Sequence, residues 1–102
     1  MIHVIATIRT VTGGREGLIA AFRELVPQVR AERGCIEYGT AVDLATPIKA
    51  AAEFRNDAVT VVEKWENVAA LEAHLAAPHM LTFRERVKDL LAGVEIRVLE
   101  PS

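Results

Sequence analysis

The chain has a single cysteine, Cys35, among its 102 residues. One cysteine forms no intrachain disulfide and builds no multi-cysteine zinc or iron–sulfur cage. Long apolar runs are missing as well. Stretches such as Leu18-Ile-Ala-Ala-Phe22 fall far short of the ~18–20 residues a membrane span needs. Neither sign of charge dominates: 12 Lys and Arg stand against 14 Asp and Glu, a net charge of −2. No basic surplus therefore points to nucleic acid or anionic lipid. The start, Met1-Ile2-His3-Val4, lacks a charged segment ahead of an apolar block, so a cytoplasmic protein without a secretory signal is expected.

What is present is ordinary for a globular chain: 51% hydrophobic and 25% charged residues. One domain over residues 1–102 is expected, with a modest core and little room for a deep, closed site.

Residues 2–11 alternate, with Ile2, Val4, Ala6 and Ile8 on one face and His3, Ile5, Thr7 and Arg9 on the other, which predicts a strand. Thr12-Gly13-Gly14 reads as a turn, with Thr12 able to cap a helix and Glu16 suited to its positive end. Over residues 15–33, Leu18, Phe22, Leu25, Val26 and Val29 recur at helical spacing. Pro27 predicts a kink in that helix, and Gly34 its end. A second strand is expected over 35–44, with Ile36, Tyr38 and Val42 sharing a face. Thr46-Pro47 and Ala50-Ala51-Ala52 predict a short helical turn. A third strand over 58–65 carries Val59, Val61, Glu63 and Trp65 on one side. Asn67 caps a helix with Val68, Leu71 and Leu75 inward, and Pro78 starts another with Met80, Phe83, Val87 and Leu91 inward. A last strand covers 94–99.

The order β-α-β-β-α-β, its second helix broken at Pro78, predicts an α+β, ferredoxin-like fold with helices on one face of an antiparallel sheet. The strands carry apolar residues on both faces: Ile5 and Val11 oppose Val4 and Ile8, and Val62 opposes Val61. A second cover is needed, and another copy of the same sheet supplies it. A homodimer is expected.

His74 and His79 flank the break between the two helical pieces, each at the edge of its apolar face. There an imidazole serves as a base over a bound ligand, or as a boundary group bonded to backbone. A metal site from His3, His74 and His79 has no recognised spacing and no acidic partner at a ligand-like interval, so none is expected. Trp65 is either a core anchor or a pocket wall whose indole N–H donates to a ligand. Cys35 follows a helix end and reads as a small buried residue. Gly13-Gly14 lacks the rest of a dinucleotide fingerprint.

The run Glu32-Arg-Gly34-Cys35-Ile36-Glu-Tyr38 resembles the E-x-G-C-x-x-Y junction of the antibiotic biosynthesis monooxygenase (ABM) family. Glu63-Lys-Trp65, then Leu71, His74, Pro78-His79 and Phe83, resembles that family's E-x-W … A-L-x-x-H … S-P-H … F pattern. The resemblance implies a dimeric α/β barrel of two face-to-face sheets. It implies a pocket between sheet and helices with Trp65, Tyr38 and Phe83 as substrate walls. His74 and His79 would act as bases, with Trp65 donating to a developing oxyanion. The activity implied is cofactor-independent oxidation of a phenolic or quinol substrate by dioxygen. Other members isomerise a phosphorylated sugar, for which Arg84, Arg86 and Lys88 would be the basic cluster here, or have no assigned reaction; a non-catalytic dimeric binding domain is a third reading. Haem-cleaving members carry an asparagine on the first strand where Thr7 stands, and residues 45–55 are longer than the usual link.

Overall fold

The computed structural model describes residues 1–102. Four strands form one antiparallel sheet: β1 (Ile2–Thr10), β2 (Cys35–Ala41), β3 (Ala58–Trp65) and β4 (Leu91–Leu99), in the order β2-β3-β1-β4. Helix α1 (Arg15–Arg30) links β1 to β2, and α2 (Val68–Leu75) with α3 (Pro78–Val87) links β3 to β4. This is the ferredoxin-like α+β arrangement that the element order predicts.

Register explains which face the helices cover. Pairing Val4 with Glu63, Ala6 with Val61 and Ile8 with Val59 puts the even residues of β1 and the odd residues of β3 on one face. All six are buried, as is Trp65 at the end of the same row. Leu18, Phe22, Leu25 and Val29 of α1, and Met80, Phe83 and Val87 of α3, close over that row. Val94, Ile96 and Val98 of β4 pair with Ile8, Ala6 and Val4 and so belong to the same face. As edge-strand residues they remain about half exposed.

Several local expectations are corrected. Helix α1 stops at Arg30, short of residue 33, because its last turn tightens as the Glu32 N–H bonds the Val29 carbonyl. The chain then turns through Gly34 at φ +85°, where an added Cβ would lie 2.6 Å from the Ala70 Cβ, so only glycine fits there. Gly14, not Thr12, occupies the α1 N-cap, and no side chain caps it. Strand β1 ends at Thr10, one residue before Val11.

Ile36 is half exposed although Tyr38 is buried, since a β-bulge between Cys35 and Glu37 breaks the alternation. Cys35 opposite Trp65 and Tyr38 opposite Glu63 thereby reach the helix face together. Strand β2 ends at Ala41, leaving Val42 exposed. Residues 42–57 contain no helix. The Thr46 hydroxyl accepts from the Ile48 N–H, and Arg55 grips the Asp43 carboxylate through Nε and Nη2, both at 3.0 Å.

Asn67 caps α2 as expected, its side-chain oxygen accepting from the Ala70 N–H at 2.8 Å. The inward residues of α2 are Leu71 and His74, while Val68 and Leu75 are substantially exposed. Leu91 begins β4 and is not helical, because a 3-10 turn (Lys88–Leu90) follows α3.

Candidate active site

Between the helix-covered face of the sheet and α2–α3 lies a cavity of about 310 Å³. Apolar side chains make most of its wall, with Phe22 and Phe83 in tilted contact at 4.7 Å between centroids. Val94 and Ile96 of the half-exposed edge strand form its open side. Polar groups enter from Tyr38, Glu63, His74 and Arg84. An apolar hollow with a few convergent polar groups is the usual form of a small-molecule site. A larger hollow of about 500 Å³ at the start of α1 has no apolar wall, so it cannot hold a flat ring by burial.

His74 is the centre of this site. Its side chain is 2% exposed, and its ring packs on Trp65 at 4.6 Å and edge-on to Tyr38 at 5.5 Å. Its Nδ1 lies 2.8 Å from Oε2 of Glu32, and Nε2 of His79 lies 2.7 Å from the same oxygen. A carboxylate only accepts, so each ring nitrogen facing Glu32 carries a proton. Burial holds His74 below the usual imidazole pKa, against the opposing pull of Glu32. The neutral ring with its proton on Nδ1 keeps a free lone pair on Nε2, and His74 borders the cavity. This is the geometry in which a carboxylate fixes the tautomer of a general base.

Glu63 is the second titratable group of the cavity. It occupies an inward position in the apolar row of β3 and is 5% exposed. Burial pushes its carboxyl up to about 7, although its Oε1 accepts the Trp65 indole N–H at 2.8 Å. Burial likewise drives the Tyr38 phenol far upward, so it remains a hydrogen-bond donor at neutral pH. The Cys35 thiol is also pushed up, first by burial and then by Glu32 and Glu63, and supplies no thiolate.

Among the residues expected to form the site, His74, Tyr38 and Phe83 meet around the cavity. Trp65 does not line it: the indole is fully buried behind His74 and its N–H is committed to Glu63, which corrects the expectation of a direct donor to ligand. His79 stands outside the cavity, bonded to Glu32 and partly exposed. Burial also corrects the edge position expected for His74. His3 and Thr7 alternate onto the opposite, helix-free face of the sheet.

Glu32 and Glu63 join the candidate site, although the sequence reading gave neither a role. Glu63 had a legible signal, a carboxylate at an inward position of a buried strand. Glu32 stands in the E-x-G-C-x-x-Y run, but nothing local ties it to the histidines it joins, 42 and 47 residues away.

Comparisons with known proteins agree with this architecture. The family described as "Antibiotic biosynthesis monooxygenase" matches residues 1–86. A relative named "Probable quinol monooxygenase YgiN", from Escherichia coli K12, is 39% identical over 103 aligned positions, covering 99% of this chain and 98% of its own. The crystal structure of PA3566 from Pseudomonas aeruginosa superposes with a TM-score of 0.82 at 32% identity, covering 99% of this chain and 93% of that one. Rv0793 from Mycobacterium tuberculosis gives 0.81 at 26% identity, covering 99% and 94%. With a family match across most of its length and a close relative along all of it, the chain belongs to the antibiotic biosynthesis monooxygenase family.

Proposed function

We propose that the protein is a monooxygenase that oxidises a phenolic or quinol substrate with dioxygen in the cavity beside His74, with no bound cofactor. The observation that carries this reading is the buried His74–Glu32 pair, in which Nδ1 is held by Glu32 and His74 borders an apolar space the size of a small ring system. The name of the Escherichia coli relative, a probable quinol monooxygenase, supports the substrate class.

In this reading the apolar walls bind the flat ring, and His74 Nε2 takes a hydroxyl proton. The Tyr38 O–H donates to the oxygen anion that forms, and the dry cavity keeps that anion electron-rich enough to reduce dioxygen. Glu63 offers a second exchangeable proton in the same space, and Trp65 positions Glu63. A phosphorylated substrate fits less well. Arg84 donates to the Leu75 carbonyl, Arg86 pairs with Glu24 and Lys88 with Glu85, so none of these cations is held free for a phosphate.

Oxygen uptake by metal-free protein supplied with reduced naphthoquinols or anthrones tests the reaction. Saturable uptake well above autoxidation is expected. Uptake no faster than autoxidation across that panel would refute the oxygenase reading.

The working unit in this proposal is a homodimer joined through the helix-free face of the sheet. Half-buried Ile5 pairs with exposed Val62 at the centre of that face, with Leu99 and Ile36 exposed beside them and the Lys64–Glu37 and Arg97–Glu95 pairs around them. An apolar centre inside a charged rim is the pattern of a protein interface. Sedimentation equilibrium should return the mass of two chains, and Val62→Glu should return one; a monomeric wild type overturns the dimer. The lone free thiol of Cys35 suits a reducing compartment, the cytoplasm.

A further inference from the structure

Glu32 has an unusual electrostatic position. It is 13% exposed, yet its only ion-pair partners are two imidazoles, with no Lys or Arg in ion-pair contact. Burying a carboxylate without a fixed cation is costly, and an imidazole held neutral by burial, as His74 is, gives it a hydrogen bond but no countercharge. The three groups come from separate, packed elements. Glu32 lies just past the end of α1, His74 near the end of α2, and His79 in the first turn of α3 behind Pro78. One ligand atom from each lies within 4.8 Å of the other two.

We propose that Glu32, His74 and His79 form a binding site for a divalent transition-metal ion such as Zn²⁺. Two imidazole nitrogens and one carboxylate oxygen are a recognised donor set for such ions, with remaining positions left to water. A tetrahedral ion with bonds of about 2.0–2.1 Å separates its ligand atoms by about 3.3 Å. The 2.8 and 2.7 Å separations from Glu32 Oε2 need to open by about half an ångström to admit it. His79, 23% exposed, provides the entry side, away from the substrate cavity. The ion takes the place of the two ring protons that now face Glu32, each of which moves to the other nitrogen of its neutral ring, and the ion's charge neutralises the carboxylate.

This site is coupled to the cavity through one imidazole. Coordination at His74 Nδ1 leaves the single ring proton of a neutral imidazole on Nε2, the nitrogen proposed above as the base. The metal therefore converts the proposed base into a hydrogen-bond donor. That consequence for turnover rests on the oxygenase reading, whereas metal binding itself does not.

The test is Zn²⁺ titration of untagged, metal-free protein by calorimetry, with Co²⁺ absorption as a second probe of the ligand set. One ion per chain is expected. Glu32→Gln and His79→Ala should each weaken binding by at least ~10-fold, while His3→Ala, on the opposite sheet face, leaves it unchanged. Wild type should also gain melting temperature with Zn²⁺, and the two ligand variants should not. Absence of stoichiometric binding, or equal binding by wild type and the folded Glu32→Gln and His79→Ala proteins, overturns the proposal. A loss in His3→Ala as large as in His79→Ala overturns it too. Zn²⁺ binding without inhibition of oxygen uptake would leave the metal site standing and count against His74 as the base.

Discussion

Replacing His74 by asparagine should lower quinol-dependent oxygen uptake by about 10²–10⁴-fold, the range for removing a positioned general base. Asparagine is chosen because its side-chain amide stands where Nδ1 stands in histidine. The donor to Glu32 at 2.8 Å is kept, and only Nε2, the proposed base, is lost. Most of the packing against Trp65 and Tyr38 is relieved by the smaller side chain, so a modest loss of stability accompanies the change. Rates must therefore be compared at a temperature where both proteins are folded. Glu32→Gln should reduce uptake in the same direction, because an amide no longer dictates which ring nitrogen carries the proton. If His74→Asn retains a rate within about twofold of wild type while folded, proton removal belongs elsewhere. Glu63 would then be the next group to test, since it shares the cavity.

Glu63 should also leave a signature on stability. Its carboxyl titrates at about 7 in the folded protein against 4.5 as the ordinary value. Below pH 4.5 both states hold the proton and the group contributes no pH dependence. Between pH 4.5 and 7 the unfolded chain has released its proton while the folded protein retains it, so stability falls as pH rises. Above pH 7 the loss is complete, at on the order of 3 kcal/mol. Glu63→Gln keeps an oxygen to accept the Trp65 indole N–H but does not titrate. The variant should match wild type near pH 4.5 and exceed it at pH 8 in urea unfolding.

His74, held below its ordinary value by burial, works in the opposite sense. It destabilises the fold as pH falls from the ordinary histidine range towards its own lowered pKa. Asp43 and Asp57, lowered first by their bonds to Arg55 and Arg9, lose their contribution in still more acid solution. Both effects are common to wild type and variant, so the difference between the two profiles isolates Glu63. Parallel profiles would mean that the buried carboxyl is ionised across the range and that Trp65 alone compensates it.

The two predictions together describe a cavity that is dry enough to hold a neutral imidazole and a neutral carboxylic acid side by side. That state follows from a placement decision made along β3. Val59, Val61 and Trp65 drive their face of the strand inward, and Glu63 is carried in with them. The cost of burying it is reduced by the neighbouring indole N–H.

Much of this was determined by the sequence itself, because it depends on local period and local stereochemistry. Alternation in residues 2–10 and 58–65 reads directly as two half-covered strands, and the spacing of Leu18, Phe22, Leu25 and Val29 as the covering helix. Asn67 and Pro78 mark two helix starts through the hydrogen bond one can accept and the one the other cannot donate. These signals suffice for the order of elements and hence for the sheet. Where a local deviation intervenes, the period misleads: one bulged residue turns Ile36 outward, and a tightened last turn ends α1 early. The alanine-rich stretch in residues 42–57 likewise stays irregular, its path held by Asp43 and Arg55.

The site, in contrast, was decided by tertiary structure alone. Nothing in the spacing of Glu32, His74 and His79 brings one carboxylate oxygen within 3 Å of two imidazoles. That meeting requires α1 to end where it does and α2 to break from α3 at Pro78. Whether Trp65 faces a ligand or stands behind His74 was also beyond local pattern, since both positions bury an indole equally well. Periodicity states which side of an element is inward. Only the packing of distant elements states which inward side chains touch, and the chemistry belongs to those contacts.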